Sequence, residues 1–164
     1  MAERTLQHEI GKKRPFADPG EEAYLNILRS AAVLAGDVLP ILRAEGLTES
    51  SYNALRILRG HHPHGCPSGV VGDQMVVRVP DVTRLLDRLE DAGLVARCRD
   101  SDDRRVVTAR ITEKGLAMLA RLDEPLNAAN RAMFAHMTAD ELRTLSALLV
   151  KARSGERPAP PSRS

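Results

Sequence analysis

Residues 61–66 read His-His-Pro-His-Gly-Cys, and His61, His62, His64 and Cys66 are all competent zinc ligands. Imidazole and thiolate donors this close together could hold a metal, and a metal could activate a water for hydrolysis. The spacing matches no compact finger, however, and no second ligand cluster follows at a useful distance. His8 and His136 are far off in sequence, and neither has a partner four residues on. A polar connector is therefore the expectation for this stretch, with a metal site or a metal-dependent enzyme as the alternatives.

A second concentration of reactive side chains is RCRDSDDRR, residues 97–105, with four arginines and three aspartates. Charges this dense stay out of a core unless paired. Guanidinium groups suit phosphates and base edges, but aspartates repel nucleic acid, so the acids need a role of their own. Asp103 can hold one guanidinium through a bidentate contact and leave Arg104 or Arg105 free to point outward. The competing reading is a solvated turn. Cys98 lies among these arginines, a setting that could favour a thiolate. With Cys66 the only other cysteine, the chain has no disulfide framework, and thiol oxidation stands as an alternative trigger. Paired carboxylates, a nucleophile with its base and a phosphate-cradling loop are all missing in a supporting context, which argues against an enzyme and against a cofactor.

The elements that must position these residues follow from the rest of the chain. Of its 164 residues 43% are hydrophobic, yet two Phe, two Tyr and no Trp leave an aliphatic core rich in Ala and Leu. That composition leans towards helix. The net charge of +2 permits nucleic-acid binding without arguing for it. No apolar run approaches the roughly 20 residues of a membrane span, and the first twenty residues lack the apolar core of a signal peptide. A cytoplasmic protein with no membrane partner is expected.

Asp18-Pro19-Gly20-Glu21 supplies a capped start, after which Leu25, Leu28, Ala32 and Ala35 recur at helical spacing. Gly36 and Pro40 are expected to bend or interrupt this helix before it stops near Gly46. Thr48 caps a second helix carrying Tyr52, Leu55, Ile57 and Leu58, which ends at Gly60. A short segment from Gly69 to about Met75 precedes PDVTRLLDRLEDAGLV, residues 80–95. There Pro80 stands near the start, Val82, Leu85, Leu86 and Leu89 share one quadrant, and Gly93 is the left-handed stop. Thr83, Arg84, Asp87 and Asp91 face the other way, with Arg88 and Asp81 at the flank. Leu94–Arg99 and Arg105–Ile111 read as the two legs of a β-hairpin whose tip is the charged run. Thr112 caps a long helix that Pro125 should kink or break, and Thr138 with Glu141 starts a last one.

That order is mainly α with a small β-hairpin wing (α+β), a winged helix-turn-helix lobe plus a helical region at the chain ends. On this layout Thr83, Arg84 and Arg88 meet base edges and phosphates. Pro80 and Asp81 open the recognition helix, whose free amides favour phosphate, and Arg78 contacts phosphate at its edge. An arginine-tipped wing reaches the neighbouring minor groove.

The same residues resemble the MarR family (multiple-antibiotic-resistance-type regulators). VTRLLDRLEDAGLV, residues 82–95, is similar to that family's recognition helix, and GLTESSYNALRIL, 46–58, to the helix that precedes it. The family's wing pattern, D-x-R, five residues, L-T, two residues, G, is met by Asp103, Arg105, Ile111-Thr112 and Gly115, with Ile for Leu. Val76, Val77, Arg78 and Val79 depart from it, occupying a turn where the family has a Gly and a capping Ser. The likeness covers roughly residues 20–152. It implies a homodimer reading a pseudo-palindrome with half-sites ~34 Å apart. It further implies a repressor released by a small, often phenolic, ligand bound between the dimerisation body and the lobe, for which Tyr24 and Tyr52 are candidates. Some members respond to thiol oxidation or metal instead. The expected organisation is a flexible arm at 1–17, a dimerisation region at 18–46 and 112–153, the DNA-binding lobe at 47–111 and a disordered tail at 154–164. A protein-interaction module that has lost DNA binding is a further alternative, which salt-dependent duplex binding would exclude.

Overall fold

The computed structural model describes residues 5–99 and 107–155. They fall into two units, one reaching to Ala129 and one starting at Asn130. The wing tip, with Asp103, Arg104 and Arg105, and the tail beyond residue 155 lie outside the described residues.

Short polar side chains start the helices where the sequence places them. Asp18 Oδ1 accepts the Gly20 N–H at 2.8 Å and Pro19 takes the first position of a long helix. The segment expected to be an arm carries a four-residue helix, α1 (Leu6–Glu9), with Leu6 buried. Pairs of Lys12 with Glu21 and Glu9 with Arg29 link this segment to the long helix, α2 (Pro19–Ala44). Thr48 Oγ1 accepts the Ser51 N–H at 3.1 Å and opens α3 (Glu49–Gly60).

Of the bend or interruption expected at Gly36 and Pro40, no interruption occurs, and α2 runs on to Ala44. Pro40 has no N–H for the Gly36 carbonyl and its ring crowds that carbonyl, a cost of about 3 kcal/mol. Leu42 is fully buried just beyond it, and Val38 and Ile41 pack on the same core. Full burial of one such side chain is worth about 1.5–3 kcal/mol, so Leu42 together with its two partly buried neighbours offsets the proline. The helix α6 (Glu113–Met133) likewise continues through Pro125, with Leu122 and Leu126 buried on either side. By length and composition alone α2 could cross a membrane, its most apolar stretch having a mean hydropathy of 1.5. Arg29 and Asp37 interrupt the apolar run and hide this in the sequence. Just 6% of that stretch is buried, and Tyr24, Leu28 and Val33 are exposed.

The core of the first unit is aliphatic, as composition requires. Leu42, Leu55, Leu58, Leu85, Leu86, Leu119, Leu122 and Val71 are its fully buried side chains. A three-stranded antiparallel sheet covers one end of it. Strand β2 (Val95–Arg99) pairs with β3 (Val107–Ile111) in the expected hairpin register, from Val95 opposite Ile111 to Arg99 opposite Val107. The sequence offers no sign of β1 (Cys66–Pro67), which joins the other edge of β3 with Cys66 opposite Ala109. In the second unit the Thr138–Glu141 capping box opens α7 (Ala139–Ser154). Taken alone, α7 buries none of its residues and exposes Leu145, Leu148 and Val150.

Two ion pairs fasten α6 to the lobe. Arg59 grips Asp123 at 2.8 and 3.0 Å, joining α3 to α6, and Arg121 meets Glu45 at 2.7 Å beyond the end of α2. Hydrogen bonds from Arg59 hold the Asp123 carboxyl below the usual carboxylate range. A carboxyl lowered on folding stabilises above its unfolded pKa, and the contribution is lost as pH falls through its folded value. Unfolding temperature should therefore drop as acid is added below about pH 4. The drop should be shallower in Asp123→Asn, and an equal slope in the variant would remove this pair from the acid response.

Candidate nucleic-acid interface

Two helices and the turn between them carry the candidate recognition surface. The helix directly ahead of the recognition helix is α4 (Ser68–Gln74), so the 46–58 segment read as its predecessor is α3, one element earlier. Pro67 precedes α4 and no side chain caps it, which is why the sequence left it unassigned. A Cβ on Gly72 would lie 3.2 Å from Val82 Cγ2, so the small residue lets α4 approach the next helix closely. Asn53 Oδ1 accepts the Val76 N–H at 2.8 Å and pins the intervening turn to α3.

The helix expected to carry recognition is α5 (Val82–Asp91). Where the family's turn has a capping Ser, Asp81 takes over, its carboxylate accepting the Arg84 N–H at 2.9 Å. Leu85, Leu86 and Leu89 are buried and Val82 is half-buried, as their spacing predicts. Arg78, Pro80, Asp81, Thr83, Arg84 and Arg88 are exposed. The Arg84 side chain is 84% exposed, and Arg88 Nε donates to the Arg84 carbonyl at 3.3 Å. Asp87 differs from expectation. Instead of facing outward freely, it meets Arg97 of β2 at 2.7 Å.

The joint behind the hairpin explains half of the wing pattern. Thr112 Oγ1 accepts the Gly115 N–H at 3.1 Å and donates to the Gly93 carbonyl at 2.8 Å. Lys114 Nζ donates to the Ala92 carbonyl at 2.8 Å. Threonine and glycine are thus required by the way α6 meets the end of α5, whatever the wing contacts.

The connector does not assemble a ligand set. His61 Nε2 bonds Gln74 Oε1 at 3.2 Å, and the His64 carbonyl accepts from Arg110. Among the described residues no three His, Cys, Asp or Glu side chains converge. Cys66 is buried, which pushes its thiol pKa up and disfavours the thiolate. Cys66 lies opposite Ala109 and Cys98 opposite Thr108, with β3 between them. Neighbouring residues of a strand point to opposite faces, so the two thiols cannot bridge within one chain.

Of the two tyrosines, Tyr52 lines a cleft of about 310 Å³ with Val38, Leu42, Asn53, Met75 and Val77, and its hydroxyl accepts from Arg56 at 2.8 Å. Tyr24 is 61% exposed on α2 and outside that cleft.

A buried aliphatic helix with an outward arginine face, followed by a β wing, defines a winged helix-turn-helix DNA-binding protein. The comparisons agree. The model of the MarR family matches residues 47–107. The chain is 31% identical to the HTH-type transcriptional repressor Rv2887 of Mycobacterium tuberculosis, over 83% of this chain and 96% of that relative. It is 37% identical to a MarR transcription factor from Planctomyces limnophilus, with a TM-score of 0.64 over 82% of this chain and 98% of that one. Bordetella bronchiseptica BpsR, whose structure concerns regulation of DNA binding by 6-hydroxynicotinic acid, matches at a TM-score of 0.75 over 87% of this chain and 100% of its own. At 20% identity it speaks for the fold alone. The chain belongs to the MarR family, whose members are transcriptional regulators and not enzymes.

Proposed function

We propose that this regulator is a cytoplasmic homodimeric repressor that binds a pseudo-palindromic operator and is released by a small ligand of phenolic type. The observation that carries the reading is the exposed Thr83, Arg84 and Arg88 face on a helix whose opposite side is buried beside the hairpin. Thr83 and Arg84 read base edges in the major groove, while Arg88 and Arg78 bind phosphate. Pro80 and Asp81 set the helix entry against the backbone. Asp103 orients the wing so that Arg104 or Arg105 enters the adjacent minor groove.

Dimerisation by residues 18–46 and 112–153 is supported by apolar surface that a lone chain leaves in water. Tyr24, Leu28 and Val33 on α2 and Leu145, Leu148 and Val150 on α7 are such residues. The ligand reading is supported by the cleft beside Tyr52, which is lined by Met75, Val76 and Val77 of the turn leading into α5. A molecule seated there would press on the segment that aims the recognition helix.

Arg84→Ala tests the base-reading role. It should cost about 1–3 kcal/mol on a duplex selected from random-sequence DNA by the wild-type protein, and relax preference at one position per half-site. Equal losses on unrelated DNA would reassign Arg84 to phosphate. Unchanged binding would remove α5 as the reading element, and a monomer in sedimentation would overturn the dimer.

A further inference from the structure

β2 sends one arginine of the charged run inward, not towards solvent. Arg97 Nη1 lies 2.7 Å from Asp87 Oδ1, and Nη2 donates to the Thr83 carbonyl at 2.8 Å. Its Nε is buried with no hydrogen-bond partner, 3.8 Å from Glu90 Oε2. Its backbone N–H donates to Glu90 Oε1 at 3.0 Å. The Arg97 side chain is 19% exposed, against 84% for Arg84. Residues 83, 87 and 90 follow one another at helical spacing, so all three acceptors lie along one stripe of α5.

We infer that Arg97 is a positioning residue for DNA recognition, which locks the first strand of the wing to the recognition helix and does not itself touch DNA. The inference rests on the reading that α5 and the wing engage one duplex together. A planar guanidinium spreads its donors far enough apart to meet the Asp87 carboxylate and the Thr83 carbonyl together while its Nε faces Glu90, a span that the donors of an ammonium, gathered on one nitrogen, do not cover. If it swung out to a phosphate, Asp87 and Glu90 would be left uncompensated on the helix that enters the groove. The contact therefore sets the angle between wing and helix. It also neutralises the two acids that the recognition helix would otherwise bring towards DNA.

The test uses the full-length protein, a duplex selected by the wild type from random-sequence DNA, and poly(dI-dC), at fixed salt. Arg97→Gln and Arg97→Lys should each lose roughly tenfold or more on the selected duplex. Arg97→Lys, which keeps the charge, should retain the poly(dI-dC) affinity and its salt dependence, and Arg97→Gln should lose less on poly(dI-dC) than on the selected duplex. Equal losses on both DNAs with a flatter salt slope, or rescue by Lys, would make Arg97 a phosphate contact and overturn the inference. Asp87→Asn reads the same link from the helix side. Removing an acid should raise DNA affinity by charge alone, whereas loss of the lock should lower specific affinity. A gain would sink the proposal even if the arginine variants fail to fold. Wild-type protein that selects no duplex would defeat the underlying reading of α5 and the wing instead.

Discussion

Replacing Gly115 by alanine should destabilise the protein by about 3 kcal/mol, at the upper end of what an overpacked methyl costs. A Cβ there would lie 2.5 Å from the Leu94 carbonyl oxygen and 2.7 Å from Ile111 Cγ1. The first is backbone immediately after the recognition helix, and the second belongs to a buried residue at the end of β3. Neither can retreat without separating the hairpin from α6. Scanning calorimetry should show the unfolding temperature lowered by about 6–12 °C, at roughly 2–4 °C per kcal/mol for a chain of this length. A shift under 2 °C would mean that the joint yields easily and that the glycine of the wing pattern needs another explanation.

Gly65→Ala should be at least as costly, about 3–4 kcal/mol, because strain and collision add there. Gly65 has φ +74, and its added methyl would run into the Ala109 carbonyl and come within 2.5 Å of Arg110 Cγ. Gly46 is a control, with φ +71 and nothing within 4 Å of its ideal Cβ. Alanine at Gly46 should cost the left-handed term alone, about 1 kcal/mol. In the Gly65 variant β1 should part from β3, so Cys66 should react faster with a thiol reagent than in the wild type. Equal effects at the two glycines, or no change in thiol reactivity, would mean that β1 is not held by this close approach.

The features legible in the sequence are those that depend on near neighbours. Asp18, Thr48 and Thr138 cap helices because a side chain needs only an amide two or three residues on, and such spacing is visible by eye. The buried stripe of α5 follows from its period. What escaped notice depends on residues far apart in the chain. β1 is two residues long and contains a proline, and its pairing with β3 becomes visible only once the hairpin has folded. Continuity through Pro40 and Pro125 is decided by leucines packed on other helices. The acid–arginine pairing expected within the charged run involves Asp103, which lies outside the described residues. A well-defined arginine clamp belongs to Arg97, whose acceptors stand 7 to 14 residues upstream on a different element. Nothing in the local charge pattern singles out that arginine from its neighbours.

A small sheet normally leaves its outer rows of amides open to recruitment by another polypeptide. Here each outer row lacks at least one free donor. Pro67 brings no N–H to one margin, and on the other the Arg97 amide is already occupied by Glu90. An edge with fewer free donors is a poorer template for the ribbon of another molecule, and here one proline and one carboxylate make it so.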